Sequence, residues 1–514
     1  MSAQPLRDYR FLGTTQSLCP ECLAVVPAKI LERMNRIYFR KQCPRHGPRE
    51  DFVCSDARWF DRMEFSLPGR VPPRFVIEPS RGCPYDCGLC TEHEQHTCVA
   101  VLEITSSCNL TCPLCYSSST PGGRPVPSEA CQRAIDQLVA CEGRAEVLQL
   151  SGGEPTVHPE FLGILDYACR QPIDLVMINT NGVRLAQDER LLDQLAERRR
   201  RCEVYLQFDG FNDRVYEQLR GEPLVDVKLR ALEQLAQRNI RATLVCTVEA
   251  GLNVDQLGRI VQFGLERPHV TGVSFQPATY VGRHPLPASL ERRITFPDIF
   301  RAVVDQSAGI WRESDFLPLP CAHPNAHSLA YAYREGTRSV PLTRWLDMEN
   351  HLDLLANGIT FNRTSARSLI EQFLARQSCG CGDGCGTARA GAVARPSAAL
   401  PVVGGAPGAS LDARELGERF FQRCLAEDLS SADVFRITTT SFMDAYNFDI
   451  RQLMKSCVHH LLPTGHLIPF CAYNVLYRDG HVPLPPLRSP GTGIPVAVVG
   501  QGGTSGSVPG EPIG

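Results

Sequence analysis

Between residues 101 and 277 the chain repeats one pattern. Short apolar runs (VLEIT at 101–105, EVLQL at 146–150, DLVMIN at 174–179, EVYLQF at 203–208, ATLVCTV at 242–248 and VTGVSFQP at 270–277) alternate with stretches of helical spacing such as EACQRAIDQLVACE, RLLDQLAERRR and VKLRALEQLAQRN. Six β-then-α units in one direction predict an α/β fold with a parallel sheet and helices outside, closed as a partial barrel or left open and doubly wound. Both architectures place ligands at the carboxyl ends of the strands. The polar and glycine-rich segments fall there: Ser106 to Cys115, Ser151 to Pro155, Thr180-Asn181-Gly182, Asp209-Gly210 and Gln276-Pro277.

The flanks lack this rhythm. Residues 1–98 are rich in Cys, Pro, Gly and charge, as in small folds that metal sites hold together because apolar area is scarce. The pattern divides the chain into a metal-binding segment at 1–60, a Cys-rich segment at 78–99, a core at 100–310 and a mixed segment at 311–385. A low-complexity insertion at 386–410, a further mixed segment at 411–478 and a tail at 483–514 of disordered composition complete it.

Charge and cysteine content narrow the class. With 53 Lys+Arg against 56 Asp+Glu, the net charge of −3 excludes a generally basic nucleic-acid binder. Twenty-three cysteines in 514 residues are too sparse for a small disulfide scaffold. The first thirty residues lack the features of a signal peptide, and no run approaches the ~18 apolar residues that suggest a membrane span. The expected setting is the reducing cytoplasm, where cysteines bind metal or do redox chemistry more often than they pair.

Four cysteine groups carry that chemistry. Cys108-x-x-x-Cys112-x-x-Cys115, followed by Tyr116, comes directly after the first strand of the core. Three thiolates on one short loop can ligate three irons of a [4Fe–4S] cube and leave the fourth open for reaction. One unit later, Gly152-Gly153-Glu154-Pro155 offers backbone that can approach a ligand and a carboxylate that can hold an ammonium group. Cys83, Cys87, Cys90 and Cys98 are enough to close an auxiliary [4Fe–4S] cluster or a zinc site; His93 and His96 beside them could replace a cysteine, but their default reading is exposed loop histidines. Cys19-x-x-Cys22 and Cys43-x-x-His46 form a tetrahedral pattern for zinc or a mononuclear iron, with Cys54 an alternative fourth ligand. Cys321, Cys457 and Cys471 can meet around a third cluster, and Cys379, Cys381 and Cys385 form a compact group of undecided role. For Cys131, Cys141, Cys169, Cys202, Cys246 and Cys424, on helices and strands, the default is a small buried hydrophobe.

The Cys108 loop with its Gly-Gly-Glu-Pro segment resembles the radical S-adenosylmethionine (SAM) superfamily. The wider set SLCPECL, CPRHG, RGCPYDCGLCTEHEQHTC, SCNLTCPLCY, QLSGGEPTVH, INTNGVRL, YLQFDGFND, FMDAYNFD and HLIPFCAYN is similar to its tetraether lipid synthase-like branch, whose archaeal members were earlier described as dihydropterin methyltransferases. The resemblance implies a partial (β/α)6 barrel and a SAM-binding [4Fe–4S] cluster on Cys108, Cys112 and Cys115, with one or two auxiliary clusters. It further implies SAM contacts from Tyr116, Gly152, Gly153, Glu154, Pro155, Thr180, Asn181, Gln207 and Asp209. The implied chemistry is a 5′-deoxyadenosyl radical that abstracts hydrogen from an unactivated C–H and joins lipid chains by a C–C bond. Modification of a pterin or another small molecule, and a non-enzymatic iron-sulfur carrier, are the alternatives. A low-potential donor such as a ferredoxin or flavodoxin would supply electrons, and a lipid substrate would call for peripheral contact with the membrane.

Overall fold

The computed structural model describes residues 7–354, 363–378 and 411–488. The insertion at 386–410, the Cys379–Cys385 group and most of the C-terminal tail lie outside the described residues.

The N-terminal segment is a four-stranded antiparallel meander: β1 (Arg10–Leu18), β2 (Val25–Arg33), β3 (Arg36–Cys43) and β4 (Gly47–Cys54), in that order. Arg33 pairs with Arg36, so β2 and β3 join through two residues, Met34 and Asn35, both at positive φ, the turn geometry that matches strand twist. Ala28, Ile30, Ile37 and Phe39 build a small core on one face. Lys41 is fully buried, and its ammonium donates to the carbonyls of Leu18, Ala445 and Tyr446 at 3.0, 3.0 and 2.6 Å while pairing with Asp51 at 3.0 Å. Burial draws its pKa down to about 8 against the pull of Asp51. This one side chain therefore ties the meander to the C-terminal segment.

The expected parallel strands form β5 (Val99–Thr105), β6 (Ala145–Gly152), β7 (Ile173–Thr180), β8 (Cys202–Gln207), β9 (Ala242–Val248) and β10 (Val270–Pro277). All eight residues of β6 are buried, as befits a strand covered on both faces. Helices α1 (Ser128–Glu142) and α2 (Phe161–Arg170) pack outside, α1 turning Cys131, Ala134, Ile135, Leu138 and Cys141 inward. Cys202, Cys246 and Cys424 are likewise buried, and Cys169 is half-buried. Inward side chains of these strands, among them Val101, Met177, Tyr205 and Ser274, line a common cavity, so the sheet curls into a partial barrel.

Sequence periodicity does not extend far enough to reveal the sheet's edges. Beyond β10 come β11 (Leu317–Pro318), β12 (His327–Glu335) and β13 (Arg338–Pro341), then β14 (Val434–Thr440), β15 (Val458–Leu461) and β16 (Leu467–Pro469). β14 lies parallel to β10, β12 antiparallel to β14, and β15 parallel to β5 at the opposite edge. The segment at 411–478, expected to hold an auxiliary cluster, thus supplies wall to the barrel on both sides.

Lys41→Met is expected to lower unfolding free energy by about 3 kcal/mol, because it leaves acceptors buried without their cation; urea melts followed by tryptophan fluorescence measure it, and an unchanged midpoint would refute the docking role.

Candidate functional site

The three-cysteine loop sits over the carboxyl end of β5. Cys108 and Cys112 are buried and Cys115 is half-buried. Gly152 has φ +128°, and a Cβ on it would lie 2.2 Å from the Thr105 carbonyl oxygen; one on Gly153 would lie 2.2 Å from that of Ser107. Gly153 N–H donates to Thr105 O at 2.8 Å and Glu154 N–H to Ser107 O at 2.9 Å. On its other side the loop forms a backbone bridge between Cys115 and Arg283, whose guanidinium donates to the carbonyls of Cys112 (2.6 Å) and Ser119 (2.9 Å). Arg283, in the Gly-Arg turn that the family resemblance includes at 275–283, is a positioning residue whose contact with the loop the sequence does not reveal, because it lies 168 positions from Cys115.

The predicted ligand contacts divide into a lining layer and a supporting layer. Gly152, Gly153, Thr180, Asn181 and Gln207 line the cavity together with Cys108, Cys112, Cys115 and Tyr116. Behind them the Glu154 carboxylate accepts from Thr156 Oγ1 (2.6 Å), Thr180 Oγ1 (2.8 Å) and Asn181 N–H (2.8 Å). Burial raises its pKa and these bonds oppose the rise. Pro155 is buried at the start of the following turn. Tyr116 Oη lies 3.2 Å from Ser151 Oγ, and its ring packs on Phe470.

Asp209 corrects the expectation of a direct contact. It is fully buried, its two oxygens accept from Arg220 at 2.7 and 2.8 Å, and Thr247 N–H adds a bond at 2.9 Å. It therefore acts through Arg220, which itself lines the cavity. Lys228, also buried, donates to Asn181 O and, at 3.2 Å, to Gln207 Oε1; burial pulls its pKa down to about 8. Arg220 and Lys228 pull the Cys112 thiol down, but burial outweighs them and leaves it raised, and burial pushes Cys108 up to about 12. The donor set fits a cluster bound by three cysteines.

The remaining cysteines are regrouped. Cys83, Cys87 and Cys90 share one turn, and contact with Cys83 together with burial pushes the Cys87 thiol far up. Cys98, expected to complete that set, instead lies within hydrogen-bonding reach of Cys321 and Cys457, with Cys98 N–H donating to Cys457 O at 3.0 Å. The reason is topological: Cys98 leads into β5, and β5 pairs with β15, which Cys457 precedes. Cys471, expected beside Cys321 and Cys457, packs in the apolar cluster of Cys87 and accepts from Met443 N–H at 3.2 Å. His96 is buried rather than exposed, with Nε2 3.5 Å from Cys98 Sγ and Nδ1 3.2 Å from Glu142. His93 is half-buried, and its Nε2 lies 3.1 Å from His459 Nε2.

In the N-terminal meander the ligand atoms of Cys19, Cys22, Cys43 and His46 all lie within 4.8 Å of one another, the spacing for one tetrahedral ion. Burial raises the Cys43 thiol, but N–H groups of His46 and Arg45 and the His46 ring outweigh it and bring it down to about 6. Cys54 is bonded to the Asp56 carbonyl instead, and burial pushes its pKa up to about 12, so His46 is the better fourth donor.

Comparison with known proteins agrees with this geometry. The Radical SAM superfamily model matches residues 102–264, and that of the HMPTM N-terminal zinc ribbon domain matches residues 11–55. The 7,8-dihydro-6-hydroxymethylpterin dimethyltransferase of Methanocaldococcus jannaschii is 30% identical over 497 residues, covering 90% of this chain and 94% of its own. The chain belongs to the radical SAM superfamily. As a radical SAM protein it uses a [4Fe–4S] cluster and SAM, and it carries an N-terminal zinc ribbon with a Cys-rich site. Mycofactocin maturase MftC of Mycolicibacterium smegmatis is 33% identical over 186 residues, 36% of this chain and 43% of that protein. Streptococcus suis SuiB bound to S-adenosylmethionine aligns at a TM-score of 0.33 and 16% identity, over 40% of this chain and 46% of SuiB.

Metal affinity at the ribbon should fall as pH falls, since protons compete for the ligand thiolates; a chelator competition assay across pH 5–8 reads the fall, and an affinity independent of pH would refute thiolate ligation. Cys43→Ser should lower bound zinc several-fold at pH 7, measured by elemental analysis, and full retention would remove Cys43 from the donor set.

Proposed function

We propose that this radical SAM enzyme acts on unactivated C–H groups of a substrate with a large apolar part, and that its reaction is C–C coupling of hydrocarbon chains. The observation that carries this reading is the barrel cavity of about 270 Å³, which begins at Cys108, Cys112 and Cys115 and continues between Val101, Val147, Met177, Leu329, Val458 and Phe470. Apolar atoms make up most of its lining.

In this reading Cys108, Cys112 and Cys115 hold the cluster, and the Gly152–Gly153 backbone lets SAM approach it. Bound there, cluster and SAM supply a 5′-deoxyadenosyl radical for hydrogen abstraction, chemistry that no side chain provides. Arg220, fixed by Asp209, offers a cation to an anionic group at the cluster end, and Thr180, Asn181 and Gln207 offer neutral hydrogen bonds. The Val and Leu wall excludes water from a reactive carbon. The Cys83–Cys87–Cys90 turn and the Cys98–Cys321–Cys457 group are two candidate auxiliary metal sites, and a ferredoxin- or flavodoxin-like donor supplies electrons. Among the described residues no helix is long and apolar enough to cross a membrane, so a lipid would be met at the membrane surface.

A second reading, modification of a polar ring such as a pterin, is favoured by the hydrogen-bonded arc of Tyr205, Ser274 and Gln276 inside the barrel and by the name of the Methanocaldococcus relative.

Cys112→Ala is expected to abolish 5′-deoxyadenosine formation by reconstituted protein, and retained SAM cleavage would refute the cluster assignment. Diether phospholipid should raise SAM turnover in the wild type. Stimulation by 6-hydroxymethyl-dihydropterin with no response to lipid would overturn the coupling reading in favour of the second.

A further inference from the structure

The barrel cavity has a polar end opposite the cysteines. On β14 the inward positions are Thr440, Thr438 and Arg436, and all three line the cavity. In register, Thr440 stands beside His327 of β12, Thr438 beside Ser274 of β10 and Leu329 of β12, and Arg436 beside Gly272 and Tyr331. Four residues of strand separate Thr440 from Arg436, a depth of about 13 Å. At that level β10 brings no side chain, because its inward position is Gly272, where a Cβ would lie 2.3 Å from the Arg436 carbonyl oxygen.

Two phenols stand near Arg436. It is hydrogen-bonded to Tyr331, whose oxygen accepts from the guanidinium and keeps its own O–H to donate. Tyr205 lies within its field, with Oη donating to Ser274 Oγ at 2.7 Å and accepting from Gln276 Nε2 at 3.2 Å. The buried carboxylate at this end, Glu203, accepts from the hydroxyls of Thr243 (2.6 Å) and Thr271 (2.7 Å). Burial raises the pKa of both phenols, so they stay neutral donors at physiological pH.

We infer that Arg436, with Tyr331, is a specificity-determining anion site that holds a carboxylate or phosphate of the substrate while its apolar part spans the cavity to the cysteine end. The inference rests on the apolar-substrate reading above and names the substrate class as an anionic amphiphile. A guanidinium matches a carboxylate or phosphate with two parallel N–H donors, which an alcohol cannot use.

The test is equilibrium binding by calorimetry to cluster-reconstituted, SAM-loaded protein without reductant, so that nothing turns over. Decanoate, decyl phosphate and decanol are the probes. The wild type should bind decanoate or decyl phosphate at least tenfold more tightly than decanol, and the tighter of the two identifies the anion. Arg436→Gln should erase that preference while leaving decanol affinity unchanged, and Arg436→Lys should keep part of it. Equal wild-type affinity for all three, or a preference that survives Arg436→Gln, overturns the anion site and leaves the apolar-substrate reading standing. No binding by any of the three overturns both. Where Arg436→Gln fails to fold, Arg436→Lys carries the test, and an anion preference undiminished in it overturns the assignment to Arg436.

Discussion

Thr105, Ser107 and Cys108 lie so close to the end of β6 that no side chain fits between them. Gly152 and Gly153 pass their backbone against the cysteine loop, and the N–H groups of Gly153 and Glu154 are satisfied by its carbonyls. A strand end and a metal-binding loop are thereby joined as one rigid unit, with Arg283 gripping the loop from the other side. Glu154, carried on the same turn, reaches into the next unit of the barrel through Thr180 and Asn181. Three successive strands are set relative to the thiols by this contact. The ordinary use of glycine at a ligand site is to let the ligand near; here it first lets the protein near itself.

Legibility in the sequence followed chain distance. The strands β5 to β10 announce themselves because each buries its own apolar run, and Cys108, Cys112 and Cys115 announce a cluster because a loop of eight residues forces their sulfurs together. Cys19, Cys22, Cys43 and His46 were similarly legible through hairpin spacing. Cys98 was not. It stands eight residues from Cys90, which suggests one group, yet the start of a strand belongs with its pairing partner, and β15, the partner of β5, begins 359 residues later. The same holds for Cys471, which a shared region seemed to place with Cys457. Asp209 is ambiguous for another reason: a carboxylate at a strand end is equally suited to a ligand and to a buried arginine, and it pairs with Arg220, eleven residues on.

Charge inside the barrel top is arranged in pairs that differ in rigidity. Asp209 and Arg220 form a bidentate bridge, costly to bury but fixed in geometry, and the bridge puts a guanidinium on the cavity surface at a defined place. Lys228 has no bidentate partner and is held by a carbonyl and an amide, and burial, only partly offset by Asp209, depresses its pKa. A rigid permanent cation can orient a ligand, whereas a softer one adjusts to the charge of the thiolates nearby. The structure thus separates orientation from charge compensation within one small volume.

The strands added after residue 311 change what the barrel can enclose. Inward positions on β5, β6 and β15 include Val99, Val101, Val147 and Val458, with Gln149 of β6 the polar exception, while β8, β10 and β14 present Tyr205, Ser274, Gln276 and Arg436. A six-strand barrel alone would pair Val99, Val101 and Val147 with Tyr205 and Ser274 but would lack a cation at the end remote from the cysteines. The arginine arrives on β14, and its depth is set by the parallel register of β14 on β10. A one-residue slip of that register would turn Arg436 out of the barrel and a neighbouring apolar side chain, Phe435 or Ile437, into it. The packing of Phe435 against Gly264 and of Ile437 in the outer core opposes such a slip, so the hydrophobic outside of the strand fixes which chemistry faces inward.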